Sequence, residues 1–252
     1  MLGVVAAAAL LLRLDVLAAE PPLAEDPLRG SLQLVVARAQ TWDSTTGELR
    51  RFTRESADAP WMSVDETPIP VVFGRRGLAW GRGLHAPRKG KGAMKREGDG
   101  RAPAGVFALT GLFGYASTLP GADLPYRPST NRDVCVDDTA SKDYNRVVRR
   151  EGKPEWKSAE RMRRKDPLYE IGAFVDHNGL SSGRREPGAG SCIFLHVWRS
   201  GEKGTNGCTA MNRNAMESIA TWLRASASPR YVLLPAREYD SLTGAWGLPK
   251  WS

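Results

Sequence analysis

Two residues in the stretch Gly190 to Leu223, GSCIFLHVWRSGEKGTNGCTAMNRNAMESIATWL, are of types that do chemistry together: His196 and Cys208, with eleven residues between them. A thiol attacks a carbonyl only as thiolate, and a nearby imidazole can take its proton or, as imidazolium, stabilise the anion. Gly207 stands directly before Cys208 and has no Cβ, so a substrate carbonyl could approach backbone N–H groups able to hold a developing oxyanion. The same residues fit a second reading, a small apolar core cysteine near a hydrogen-bonded core histidine. A zinc site is a third reading for Cys192, His196, His177 and Cys208, but no Cys-x-x-Cys or His-x-x-x-His spacing supports it. No metal and no other cofactor is expected.

Chemistry between His196 and Cys208 requires the chain to fold back between them. Ser191 to Trp198 is rich in β-branched and aromatic residues and predicts a strand. Ser200 to Gly207 supplies three glycines plus Thr205 and Asn206, enough turn chemistry to bring Cys208 toward His196. Beyond the cysteine, Met216, Ile219, Ala220 and Leu223 recur at helical spacing, which predicts a helix over Asn214 to Ala225, with Asn214 as its cap and Glu217 three residues on. Leu32 to Ala37, Gly105 to Thr110, Ile171 to His177 and Tyr231 to Leu234 read as further short strands, and Glu155 to Lys165 as a polar helix. No alternation of strand and helix argues for a parallel sheet, so the chain reads as mainly β with a few short helices. Arg82 to Asp99 and Ser181 to Gly190 read as loops bordering a cleft. The REGDGRAP segment, with Glu97, Asp99 and Arg101, reads first as a turn. Trp80 and Trp198 are expected in the core.

The segment around His196 and Cys208 resembles the catalytic motif of the L,D-transpeptidases (YkuD-type domains), in which a strand-borne histidine precedes a Gly-Cys pair. Further pieces in matching order are LQLVVARAQTWDSTTGELRRF at Leu32 to Phe52, KREGDGRAPAGVFAL at Lys95 to Leu109, VCVDDTASKDYN at Val134 to Asn145 and GAFVDHN at Gly172 to Asn178. The resemblance implies a β-sandwich with the cysteine-bearing turn beside a helix. It places Cys208 on the nucleophile, His196 on the general base and Gly207 on the glycine before the nucleophile. Two departures stand out: the family's frequent Ser-His-Gly-Cys turn is Thr205-Asn206-Gly207-Cys208 here, and the small polar residue that often follows the base is Val197. Candidates to orient the second nitrogen of His196 are His177, Asn178 or a backbone carbonyl. His177, Asn178, Thr205 and Asn206 are the candidate substrate-binding residues.

The activity implied is that of an exported enzyme of peptidoglycan metabolism in which Cys208 forms a thioester with a stem peptide and an acceptor amine resolves it. Hydrolysis of the same acyl-enzyme, as an L,D-carboxypeptidase or endopeptidase, is one alternative, and a non-catalytic wall-binding domain on the same fold is another. At 252 residues and 41% hydrophobic content the chain suits one sizeable core. Met1 to Ala19 begins with an apolar run and ends in small residues, as a signal peptide does; residues 20–30 read as a linker and 31–252 as one catalytic domain. Export predicts the periplasm or the extracytoplasmic cell envelope. Lys and Arg number 36 against 28 for Asp and Glu, a net charge of +8. That balance favours anionic cell-envelope polymers beside the peptidoglycan stem peptides, and no motif accompanies it that would specify nucleic acid. If Cys208 is reserved as nucleophile, Cys135 and Cys192 are left either as a disulfide, which an oxidising compartment permits, or as two buried thiols. The bridge is the expectation adopted. Oligomeric state leaves no mark on the sequence.

Overall fold

The computed structural model describes residues 26–86, 92–183 and 185–251. In chain order the elements are β1 (Gln33–Ala39), β2 (Thr46–Thr53), β3 (Met62–Ser63), β4 (Ile69–Val72), β5 (Leu78–Trp80), β6 (Ala102–Gly114), β7 (Tyr126–Pro128), β8 (Asp133–Val136), β9 (Val147–Arg149), β10 (Ala159–Arg161), β11 (Ile171–Val175), β12 (Phe194–Val197), β13 (Thr209–Met211), α1 (Arg213–Trp222), β14 (Arg230–Pro235) and α2 (Ala236–Trp246). The five strands expected from sequence are all present. The signal-peptide segment lies outside the described residues. Of the stretch read as a linker, Leu28 is described and is part of the core.

The sheet corrects the expected sandwich. Its strands run β1-β14-β6-β11-β12-β13-β4-β2, and β2 then pairs with β1 again, so the sheet closes into a barrel. Closure rests on β2, which lies antiparallel to β1 from Thr53 opposite Gln33 to Gly47 opposite Ala39, while its first half also pairs with β4 from Thr46 to Leu49. A closed sheet has no free edges whose N–H and C=O groups need cover. The sheet is also mixed: β1 with β14 and β12 with β13 are parallel pairs, the second joined by a loop where a crossover helix is more usual.

Two helix expectations are corrected as well. Glu155 to Lys165 is not helical: Ala159 to Arg161 pairs with β8, and Met162 is buried beneath. The segment has no apolar stripe at helical spacing, so its polarity marked an edge strand and a loop. Helix α1 starts one residue before Asn214. Asn212 is extended and its side chain accepts from the Ala215 N–H at 2.8 Å, which makes it the cap. Glu217 instead pairs with Arg213 at 2.8 Å. The apolar face is as expected, with Met216, Ile219, Ala220 and Leu223 buried. Helix α2 was not expected, although Tyr239, Leu242 and Trp246 at i, i+3 and i+7 bury one face.

Alternation along β12 creates two cores. Ile193, Leu195 and Val197 belong to the main apolar core with β1, β6, β14 and both helices. Cys192 and Phe194 face the other way, into a smaller cluster with Phe113, Cys135, Met162, Tyr169 and Cys208. The small sheet β10-β8-β9 covers that outer face. Cys135 on β8 and Cys192, just before β12, form a disulfide with Cα atoms 5.9 Å apart, and Cys208 is the free thiol. Tying two residues 57 apart in sequence is worth about 4 kcal/mol in the chain-entropy model. Thiol counting on denatured, unreduced protein should therefore give one reactive group and, after reduction, three; three before reduction would refute the bridge.

Candidate functional site

His196 and Cys208 reach the same place because β12 and β13 run parallel in a fixed register. Leu195 lies opposite Thr209, so Cys208, one residue before β13, stands beside Phe194. The Phe194 N–H donates to Cys208 Sγ at 3.4 Å, and the Cys208 thiol donates to the Cys192 carbonyl at 3.4 Å. His196 is two residues on from Phe194, hence on the same outer face.

The loop that makes the return is fastened to the segment after β4. Thr205 N–H donates to the Phe73 carbonyl and Arg75 N–H to the Thr205 carbonyl, each at 2.8 Å. Gly204 permits this approach, since a Cβ there would lie 2.8 Å from Arg75 Cα. The last turn is tightened by Thr205, whose hydroxyl donates to the Cys208 carbonyl at 2.6 Å and accepts from the Gly207 N–H at 3.0 Å. Asn206 accepts from Arg75 at 2.7 Å. The space a Cβ would need at Gly207 is held by the Arg101 carbonyl and Ile193, at 3.1 and 3.3 Å, so here the glycine serves close packing of the turn.

His196 and Cys208 both line a cleft of about 680 Å³, together with Thr205, Asn206 and Gly207, with Lys95 and Asp137 from two of the segments in matching order, and with Glu160, Arg164 and Tyr169, which no sequence motif marked. A short 3₁₀ turn, Pro167–Tyr169, capped by the Asp166 side chain, presents Tyr169. Its ring meets the His196 ring edge-to-face at 5.0 Å, and its hydroxyl donates to Glu160 Oε1 at 2.8 Å. Trp198 also lines the cleft, whereas Trp80 is fully buried in the core. Glu97 lines it too, accepting from the Tyr144 and Ser191 hydroxyls. Asp99 braces the Gly-Asp-Gly turn by accepting from the Arg96 and Arg101 N–H groups.

His177 and Asn178 lie elsewhere. His177 Nδ1 accepts from the Arg82 N–H at 3.2 Å, which leaves Nε2 protonated to donate to the Ala189 carbonyl at 3.1 Å. Asn178 bonds the Glu186 backbone and the Gly190 carbonyl. Both brace the 179–190 loop, and Asn145 joins them to the site: its amide donates to the His177 and Asn178 carbonyls and accepts from the Cys192 N–H. Of the three kinds of partner open to the second nitrogen of His196, the structure selects the backbone carbonyl: Nδ1 lies 2.7 Å from the Val197 oxygen. A carbonyl only accepts, so this contact selects the tautomer protonated on Nδ1, with Nε2 as the ring's acceptor atom; the Leu168 carbonyl also faces the ring.

Burial sets the resting protonation. Desolvation pushes the Cys208 thiol up to about 12, the Glu160 charge adds to it, and the Phe194 N–H, Lys95 and the Tyr169 hydroxyl oppose it. Desolvation pushes His196 down to about 4, against the Val197 carbonyl. Both shifts favour the neutral forms, so thiol and imidazole rest neutral near pH 7 and are not a preformed ion pair. His177, pushed down to about 3 by burial and then Lys95, is likewise neutral.

A free thiol and a neutral imidazole lining one cleft on the outer wall of a closed β-barrel define a cysteine acyl-transfer type of site. The family model of the L,D-transpeptidase catalytic domain (YkuD) matches residues 63–232, about two thirds of the chain, and the protein belongs to that family of peptidoglycan enzymes. His196, Cys208, Tyr169 and Glu160 all fall within the match, while the Leu32 to Phe52 segment precedes it. No match is found among curated proteins or among solved structures.

Two outcomes follow. Iodoacetamide should alkylate Cys208 at a rate that keeps rising well past pH 9, because the folded site holds the proton that an ordinary thiol near 8.5 would lose; a plateau near pH 8.5 would contradict the buried neutral thiol. The sign for stability agrees: this contribution is complete below the ordinary thiol value and fades as pH climbs toward 12. His177→Ala should lower thermal stability by about 1–3 kcal/mol through an orphaned Arg82 N–H and Ala189 carbonyl, read by denaturant unfolding. Unchanged stability would contradict the bracing role.

Proposed function

We propose that the protein is an exported L,D-transpeptidase. The observation that carries this reading is that the free Cys208 thiol and the His196 imidazole line the same cleft, within a domain of this family. As the peptide carbonyl of the third stem residue arrives, Nε2 takes the thiol proton while Sγ forms its bond to carbon. Moving the proton in step with attack avoids a full thiolate and imidazolium in a desolvated site, where each is disfavoured. The tetrahedral oxyanion takes a hydrogen bond from the Cys208 N–H; the Gly207 N–H is already committed to Thr205.

Collapse breaks the C–N bond to the terminal D-residue. His196 hands its proton to that amine, which leaves, and the thioester remains. An acceptor amine then attacks the thioester carbonyl, loses its proton to Nε2, and the C–S bond breaks as the sulfur recovers a proton. The Val197 carbonyl holds Nδ1–H throughout, so the same ring serves as base and acid without turning. Support for export comes from the Cys135–Cys192 bridge, which suits an oxidising compartment, and from the apolar run at Leu2 to Leu12.

The test is incubation of the purified protein with a disaccharide-tetrapeptide, followed by mass spectrometry of the products. A cross-linked dimer with loss of the terminal residue is expected. Trimmed tripeptide alone would mean that water is the acceptor, and unchanged substrate would overturn the reading. Cys208→Ala should abolish turnover, and His196→Ala should slow acylation by about a hundred- to ten-thousand-fold with little change in KM.

A further inference from the structure

Among the described residues, four that are not glycine take left-handed backbone: Asn145 (φ 55°), Asn178 (φ 49°), Cys192 (φ 57°) and Ser228 (φ 46°). Ser228 ends a 3₁₀ turn, whereas the other three are joined to one another directly. Asn145 Nδ2 donates to the Asn178 carbonyl at 2.9 Å, and Asn145 Oδ1 accepts from the Cys192 N–H at 2.9 Å. The three come from separate segments, ahead of β9, beyond β11 and ahead of β12. Asparagine tolerates this region because its short amide bonds locally, but for cysteine it is uncommon. Such backbone persists only where its surroundings over-determine it, and it gathers at sites where the strain has a use.

At Cys192 the use is visible. Its carbonyl accepts the Cys208 thiol hydrogen at 3.4 Å, and two residues on the Phe194 N–H donates to the same sulfur. Phe194 is fixed by β12, where it pairs with Phe174 of β11. Cys192 precedes that strand, so ladder pairing does not fix its backbone. Two ties hold it instead: the bridge to Cys135 on its side chain and the Asn145 carboxamide on its N–H. Asn145 is itself fully buried, with its Nδ2 anchored on the His177 and Asn178 carbonyls.

We propose that Asn145 is a positioning residue for the nucleophile: it holds Cys192 in the left-handed conformation whose carbonyl orients the Cys208 thiol. With S–H directed at the Cys192 carbonyl and the Phe194 N–H directed at the sulfur, the thiol is confined to one orientation before substrate arrives, which is how a near-attack geometry is kept. Without the carboxamide, Cys192 relaxes toward negative φ, its carbonyl turns away, and the sulfur loses the partner that aims it. Asn145 touches neither the sulfur nor the substrate and acts only through Cys192. The inference rests on the transferase reading for what the sulfur does, and adds what aims it.

The variant that isolates this role is Asn145→Gly, since glycine adopts the same φ without strain and only the carboxamide is lost. Acylation by a disaccharide-tetrapeptide, followed as adduct mass, should slow at least about tenfold with KM unchanged. Iodoacetamide alkylation of Cys208 should change the other way. It becomes about two- to tenfold faster below its inflection, and the inflection moves to lower pH, because a hydrogen bond that favours the neutral thiol is gone. Glu160, Lys95 and the Tyr169 hydroxyl, which also face the sulfur, are untouched by the substitution. Asn145→Asp keeps an acceptor for the Cys192 N–H and should recover most of the acylation rate. Asn178→Gly removes three bonds to the 179–190 loop but none to Cys192, and both of its rates should match the wild type. If Asn145→Gly does not fold, Asn145→Ser, a bond too short to reach the Cys192 N–H, is held to the same expectations. Wild-type rates in Asn145→Gly, an equally slow Asn145→Asp, or the same changes in Asn178→Gly would each overturn the proposal. The two readings separate. A wild-type protein that never acylates removes the transferase reading while alkylation still decides the role of Asn145, and full-speed acylation by Asn145→Gly removes that role alone.

Discussion

The parallel pairing of β12 with β13 is the constraint on which the rest of the site depends. Two adjacent parallel strands need a return connection, and here the whole return is a short loop with Gly201, Gly204 and Gly207 in it, clipped by backbone hydrogen bonds to Phe73 and Arg75. Because the register is fixed, Cys208 arrives beside Phe194 and on the face that carries His196. A slip of one residue would send Cys208 to the apolar interior. Barrel closure through β2 supports this from the other side, since β4 joins β13 to β2 and so holds the Phe73–Arg75 anchor in place.

The second determinant is burial. The outer face of β12 is not open surface: Tyr169, Phe194 and Phe113 pack around it in mutually edge-on contacts, and the small sheet is bound down by the Cys135–Cys192 bridge. Desolvation then keeps Cys208 as thiol and His196 as imidazole. A neutral thiol also protects the cysteine from adventitious oxidation, which follows thiolate character. It also means that activation belongs to the encounter with substrate, when the oxyanion donor and the proton acceptor act together.

The strands and the helix after Cys208 were legible because hydrophobic period and turn residues are local signals. That Cys208 would fold back toward His196 was legible in the same local way, from one strand, one glycine-rich turn and one helix in order, whereas their roles as nucleophile and base came from the family resemblance alone. What could not be read was long-range. Closure of the barrel depends on β2 meeting both β1 and β4, which no local pattern encodes. Glu160 and Tyr169 reach the site through β8–β10 pairing and a 3₁₀ turn, from a segment whose charges read as a solvated helix. His177 and Asn178 illustrate the opposite error. Their polar types near a strand end suggested substrate contact, whereas their hydrogen-bonding capacity is spent on the backbone of Arg82, Glu186, Ala189 and Gly190. Asn145, the residue that ties that loop to Cys192, carries no chemical signature beyond its side-chain amide.

The central claim is that Cys208 carries the acyl group. It is tested most directly by mixing the protein with a disaccharide-tetrapeptide, quenching in acid within the first turnover, and reading intact mass followed by peptide mapping. The account predicts an adduct equal to the substrate less its terminal D-residue, located on the peptide that contains Cys208 and released by hydroxylamine as a thioester would be. An adduct on any other residue, or product formed with no adduct at Cys208, would contradict it.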